Sequence, residues 1–306
     1  MKAIQFSNYG DSSVLELHQT DQPKAKAGEV LIKISATTVN PWDIKVRSGA
    51  MQKIVPISFP YTPGIDVAGT VEAVGEQVNR LKIGDKVFAN PSSGSYAEYI
   101  SIKEQIVSTI PNNVTLAEAA ALTIPLTTAY SLLIEAGDLE SGQKILIHGA
   151  SGGVGTILIQ MAKALGAYVI GTASGKGLEL IKSLGADEVI DYKSQDFSQL
   201  VSEIDLIADL VGGETQTKSY PLVKKGGKLL SLVMPTSDEL AKEHGITAKF
   251  VNSAPGYEKL AFGKALVEAG KIKVQIARTM PLEEAATAQD LISSGGVNGK
   301  IVLEVN

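Results

Sequence analysis

The amino-acid sequence predicts an α/β protein in two parts, a β-rich part followed by a doubly wound parallel sheet. Three observations carry that prediction. Apolar residues recur with strand periodicity up to about residue 110, the period becomes helical from Thr115, and after Gly142 short apolar strands alternate with helix-length segments. At 306 residues the chain exceeds the usual size of one hydrophobic core, so two domains are expected, one of residues 1–121 with 272–306 and one of residues 122–271.

In residues 29–36, Val30, Ile32 and Ile34 alternate with Leu31, Lys33 and Ser35, the pattern of a strand with one buried face. The turn pairs Pro63-Gly64, Gly84-Asp85 and Asn90-Pro91 follow at short intervals, as in a barrel-like β body. Thr115 and Glu118 have capping-box spacing ahead of an alanine-rich segment, which predicts a helix start. Residues 144–148 then read as a strand, followed by glycines and a helix with Val154, Ile157, Leu158, Met161 and Leu165 on one face. Further strands are expected at 168–172, 188–191, 205–211 and 228–233, separated by helices, which is the alternation of a parallel sheet. A last strand, 300–305, follows a helix starting near Glu283 and need not join that sheet.

Composition narrows the function. With 44% hydrophobic and 20% charged residues the chain is ordinary for a soluble globular protein. The net charge of -5 provides neither a nucleic-acid footprint nor a patch for an anionic membrane, so the expected partner is a small molecule. The absence of cysteine removes disulfides, thiolate catalysis and every cysteine-ligated zinc site. No signal-length apolar segment follows Met1 and no run approaches the ~20 apolar residues of a membrane span, so a cytoplasmic protein is expected. His18, His148 and His244 lack serine or carboxylate partners at recognisable spacing and are read as structural.

The strongest local signal is His148-Gly149-Ala150-Ser151-Gly152-Gly153-Val154-Gly155, between a predicted strand and a predicted helix. A dinucleotide pyrophosphate needs glycine where the backbone turns, where it approaches the anion, and where helix packs on strand; the helix N-terminus supplies the attraction. Gly152, Gly153 and Gly155 are assigned those roles, with Ser151 and Val154 in the same cradle, although Ala150 replaces the first glycine of the usual pattern. At the end of the second strand an NAD site places a carboxylate about twenty residues on. Here the strand runs into Ala173-Ser174-Gly175-Lys176, a hydroxyl and an ammonium that suit a 2′-phosphate, so NADPH is the expected cofactor.

Taken in order, several segments resemble the zinc-independent quinone-oxidoreductase and enone-reductase branch of the medium-chain dehydrogenase/reductase superfamily. They are residues 28–33 (GEVLIK), 40–49 (NPWDIKVRSG), 63–71 (PGIDVAGTV), 84–88 (GDKVF), 94–99 (GSYAEY), 126–130 (LTTAY), 184–187 (LGAD) and Asp191-Tyr192. The resemblance implies a GroES-like β-rich catalytic domain built from both chain ends, an inserted Rossmann domain, and an active site in the cleft between them. It also implies a homodimer, with residues 246–251 extending the Rossmann sheet at its edge.

In zinc-dependent relatives the catalytic metal is held by a Cys, a His with an adjoining Glu, and a further Cys. The matching positions are Asn40, Ile65 with Asp66, and Ile124, so a zinc alkoxide mechanism is not expected. The resemblance further implies that Asn40 approaches the nicotinamide ribose, that Thr127 lies near the nicotinamide, and that Tyr192 joins Ser174 and Lys176 at the 2′-phosphate. It places Lys300 toward the cofactor phosphates. Lys45 stands where many quinone reductases carry Tyr, a pattern closer to the enone and alkenal reductases, and is the candidate to stabilise enolate charge on a substrate oxygen. The plain alternative puts Lys45 and Arg47 on a solvated helix face. The expected activity is NADPH-dependent hydride transfer to a quinone or α,β-unsaturated carbonyl. The competing reading is a non-catalytic NADPH sensor or a crystallin-like protein.

Overall fold

A computed structural model describes residues 1–305. The chain opens with a short antiparallel ribbon, β1 (Lys2–Gln5) with β2 (Glu16–Gln19), followed by the long strand β3 (Glu29–Thr38) and a two-turn helix α1 (Pro41–Arg47). Strands β4 (Val67–Val74), β5 (Lys86–Ala89), β6 (Tyr99–Lys103) and β7 (Val107–Thr109) lead to α2 (Leu116–Tyr130). Next come β8 (Lys144–His148), α3 (Gly153–Ala164), β9 (Tyr168–Ala173), α4 (Lys176–Ser183), β10 (Glu188–Asp191), β11 (Ile204–Asp209), α5 (Gly213–Ser219) and β12 (Val223–Ser231). The chain closes with α6 (Asp238–His244), β13 (Thr247–Phe250), α7 (Tyr257–Glu268), β14 (Ile276–Pro281), α8 (Ala285–Ser294) and β15 (Lys300–Glu304).

These elements form two compact units, the first of Met1–Ile124, Pro255–Glu268 and the chain from Ile276 on, the second of Pro125–Ala254 and Ala269–Gln275. The first holds a seven-stranded sheet centred on β3, which pairs antiparallel with β4 along one edge and with β6 and β15 along the other. The alternation in β3 places Val30, Ile32 and Ile34 in the core with Val67, Val71 and Val87, while Lys33 faces solvent. β15 thus belongs to this sheet and brings Lys300 beside the end of β3. Helix α7 also packs here: the Asn113 amide donates to Val267 O at 3.0 Å and Lys264 Nζ to Thr109 Oγ1 at 2.7 Å.

The second unit holds a six-stranded parallel sheet in the order β10-β9-β8-β11-β12-β13. Ile145, Leu146 and Ile147 are all fully buried, as expected for a parallel strand covered on both faces. From β8 the chain moves outward to β9 and β10, then returns to β11 on the other side, so the strand order reverses between β8 and β11. Ligands of such sheets bind at the carboxyl ends of the strands at that switch point.

One sequence expectation needs correction. Residues 116–136, α2 with the π-helical continuation Ser131–Ala136, have the length and apolarity of a membrane span, with a mean hydropathy of 1.3. Their composition reflects packing, since 72% of the apolar window is buried within the protein. The predicted capping box does start this helix: Thr115 Oγ1 accepts from Glu118 N at 3.2 Å and the Glu118 carboxylate accepts from Thr115 N at 2.8 Å.

Candidate functional site

In the second unit the chain leaves β8 through Gly149, whose φ of 69° lies in the left-handed region that favours glycine. Ala150 N–H then donates to Thr172 O at 3.1 Å, fastening the turn to β9, and Gly152 N–H closes it on Gly149 O at 3.2 Å. Gly152 is the extended N-cap of α3, so the first-turn N–H groups of Gly153, Val154 and Gly155 have no intrahelical acceptor and are available to an anion. A Cβ on Gly155 would sit 2.5 Å from Gly149 O and 2.6 Å from Ala150 O. No side chain fits there, and the helix can therefore approach the strand end closely. Ser151, Gly152, Gly153 and Val154 line the half-buried outer side of the turn. The sequence pattern missed Gly149 because it counted from Ala150; a left-handed φ carries no spacing signature of its own.

At the end of β9 the hydroxyl of Ser174 donates to that of Tyr192 at 3.0 Å, and Tyr192 N–H donates to Ala173 O at 3.2 Å. Gly175, with φ of 54°, opens α4, and Lys176 is its exposed first residue. Two hydroxyls and an ammonium thus share one solvent-facing strand end, a donor set suited to a phosphate ester. The neighbouring Asp191 turns inward on its own loop, accepting from Lys193 N at 3.1 Å and Ser194 Oγ at 2.9 Å. Thr127 is fully buried on α2.

Two residues support this turn from beneath: His148, read from the sequence as structural but without the serine partner it has, and Asp209, which the sequence did not single out. His148 is buried between Thr172 Oγ1 (3.2 Å) and Ser219 Oγ (3.0 Å), its ring edge-on to Phe197. Burial lowers its pKa to about 4, opposed by the charge of Asp209, so the imidazole is neutral at physiological pH. Asp209, paired in register with His148, accepts from Val211 N (3.0 Å), Gly212 N (2.7 Å), Gln216 Nε2 (3.0 Å) and Ser231 Oγ (2.9 Å). It holds the loop after β11 so that Leu210 and Val211 stand over Gly149.

In the first unit Asn40 caps α1, and the Asp43 carboxylate reaches back to Asn40 N at 2.9 Å, the backward half of a capping box. The Asn40 amide donates to Asp66 Oδ2 at 2.7 Å and its Oδ1 accepts from Lys300 Nζ at 2.6 Å. Asp66 is fully buried and also accepts from Thr38 Oγ1 and from Ile124 N at 2.8 Å. The positions matching the zinc ligands of relatives therefore form an amide, carboxylate and backbone network. Among the described residues no three His, Cys, Asp or Glu side chains gather as a metal set.

Asp43 also accepts from Gly64 N at 3.2 Å and lies 3.4 Å from the buried Tyr96 hydroxyl. Burial raises its pKa to about 7, with Asp66 adding repulsion, while Asn40 N–H, Lys300 and Gly64 N–H pull it down.

Lys45 is half-buried on α1. Arg47 is not on a solvated face, contrary to the plain reading of this helix. It is buried, with Nε donating to Gln289 Oε1 at 2.7 Å and Nη1 to Gly10 O at 3.2 Å. Lys300, expected to point at cofactor phosphates, is likewise 5% exposed, its ammonium held by Asn40, by Val39 O at 3.4 Å and by Asp66 at 3.4 Å. The paired carboxylate and amide account for a buried ammonium in a way that sequence position could not show.

Comparison with known proteins accords with this geometry. The alcohol dehydrogenase GroES-like domain family matches residues 26–112 and the zinc-binding dehydrogenase family residues 184–303. A human quinone oxidoreductase is 33% identical, with 99% of this chain and 97% of that protein covered. A tomato (Solanum lycopersicum) 2-methylene-furan-3-one reductase is 38% identical over 99% of this chain and 79% of that protein. Among solved structures, a quinone oxidoreductase from Coxiella burnetii superposes with a TM-score of 0.92 at 33% identity, covering 100% of this chain and 99% of that one. The Escherichia coli quinone oxidoreductase complexed with NADPH superposes with a TM-score of 0.91 at 26% identity, covering 99% and 100%.

Proposed function

The chain belongs to the quinone and enone oxidoreductase branch of the medium-chain dehydrogenase/reductase superfamily and is an NADPH-dependent oxidoreductase of quinones or α,β-unsaturated carbonyls; we propose how its residues divide that work. When bound, NADPH supplies the hydride. The observation that carries the reading is the pair of fitted cradles in the second unit: the turn that only glycine permits at 155, and the Ser174, Tyr192 and Lys176 cluster at the end of β9. The first suits a pyrophosphate and the second a 2′-phosphate. Thr127 and Asn40 serve the nicotinamide end. Lys45 is the proposed catalytic residue, its ammonium stabilising negative charge that develops on the substrate carbonyl oxygen.

One experiment tests the division. Steady-state NADPH oxidation with a panel of enones and quinones should show substrate-dependent turnover, whereas a pure NADPH-binding protein would show affinity without turnover. In the same assay Lys176→Ala should raise KM for NADPH tenfold or more and leave NADH unchanged, since each charge-assisted bond lost is worth roughly 1.5–3 kcal/mol. Lys45→Met should leave NADPH affinity intact and lower enone turnover by on the order of 10²–10³. Equal losses for both cofactors, or parent-like enone turnover in Lys45→Met, would reject the respective assignment. We further propose a homodimer that pairs β13, an edge strand with Phe250 51% exposed, with its copy. Sedimentation giving a monomer mass would refute it.

A further inference from the structure

Asn40 is held from both ends by groups that leave its side-chain amide no choice of orientation. Lys300 Nζ, 2.6 Å from Oδ1, has hydrogens and no acceptor, so the atom it meets must be the amide oxygen. Asp66 Oδ2, 2.7 Å from Nδ2, belongs to a carboxylate that only accepts, as it does from Thr38 Oγ1 and Ile124 N, so the atom it meets must be the amide nitrogen. Lys300 and Asp66 themselves lie 3.4 Å apart and are 5% and 0% exposed, so the clamp is a buried ion pair bridged by the amide. It joins residues 260 positions apart in sequence, from the last strand to the cap of α1.

We infer that Lys300 is a positioning residue for ligand binding: it commits the Asn40 oxygen, so that the amide presents the second hydrogen of its nitrogen to a ligand acceptor. This rests on the proposed role of Asn40 toward the nicotinamide ribose, and it replaces a phosphate contact by Lys300 itself. A ribose oxygen meeting Asn40 is then met by a donor. Lys300 contributes through the amide and not through its charge, so its contribution is insensitive to salt and the same for NADPH and NADH.

The test is a double-mutant cycle read by direct NADPH binding, together with the side-chain amide resonances of Asn40 in the ligand-free protein. Lys300→Met should shift those resonances and speed their solvent exchange at least tenfold. It should also weaken NADPH and NADH about equally, by roughly tenfold at both low and high salt. In an Asn40→Ala background the same substitution should cost no further affinity. Because Lys300→Met alone strands the Asp66 carboxylate, Asn40→Ala is also measured in the Lys300→Met, Asp66→Asn double variant, where no buried charge is left unpaired, and should cost as little affinity there as in Lys300→Met. A loss that shrinks with salt, or that is equal with and without Asn40, would overturn the inference in favour of a phosphate contact. Parent-like NADPH affinity in Asn40→Ala itself would instead reject the proposed role of Asn40, and the inference with it.

Discussion

Asp66 and Asp209 are both fully buried carboxylates near strand ends, one in each unit, and they are stabilised by different means. Asp66 is met by a hydroxyl, an amide, a backbone N–H and the ammonium of Lys300. Asp209 is met by two backbone N–H groups of its own loop, an amide and a hydroxyl. A counter-ion from a distant strand ties together segments that have no local reason to meet. A cage of dipoles from the next few residues shapes a loop. The first unit thus uses buried charge to orient side chains, while the second uses backbone geometry to shape a turn. Their titrating neighbours differ in the same sense: Asp43 holds a proton to about pH 7, whereas His148 stays neutral down to about pH 4.

The sharpest way to test this contrast is to fill the backbone space of the second unit. Gly155→Val would drive carbon into two backbone oxygens that cannot rotate away, and should cost ~3 kcal/mol, the upper end for overpacking. NADPH affinity measured by fluorescence titration should fall by on the order of a hundredfold, and parent-like binding would show that the turn adapts.

A smaller effect is expected from Asp209→Asn. Val211 and Gly212 N–H meet one oxygen of Asp209, and Gln216 and Ser231 the other. Asn therefore keeps only a neutral oxygen for the two backbone donors and forces the Gln216 amide and Ser231 hydroxyl to turn and accept from its nitrogen. Urea unfolding should report a loss of roughly 1–3 kcal/mol, and KM for NADPH should rise as the loop over Gly149 loosens. An unchanged unfolding midpoint would mean that the cage is decorative.

The smallest effects are in proton linkage, and their signs are opposite. The folded pKa of Asp43 is raised from 3.8 to about 7, so its contribution to stability is full below 3.8 and lost as pH rises through 7. The folded pKa of His148 is lowered from 6.5 to about 4, so its contribution is full above 6.5 and lost as pH falls through 4. Between pH 4 and 6.5 the two slopes oppose each other in the parent. Asp43→Asn should therefore leave a protein whose stability rises more steeply with pH in that window, and His148→Gln one whose stability falls more steeply. Thermal melts across pH 4 to 8 would show both, and identical slopes in all three proteins would mean that neither group is linked to folding.

Much of this was legible in the amino-acid order, because it is written in neighbours. Strand alternation in β3, the Thr115 and Glu118 box, and the glycines between β8 and α3 are local patterns whose physical cause spans only a few residues. Serine and lysine after β9, in place of a carboxylate, could be read the same way.

What the tertiary structure alone decided is which charged groups are buried and with whom. Lys300 and Arg47 look like surface residues by type, and they are buried because Asn40 with Asp66, and Gln289 with Gly10, supply acceptors from far along the chain. The left-handed backbone at Gly149 and the cage around Asp209 were hidden for a related reason: a dihedral angle and a convergence of donors leave no periodicity in sequence. Periodicity reports which face of an element is apolar. The partner that makes a buried charge tolerable is set by how distant strands come together, and here that pairing joins the first helix cap to the last strand.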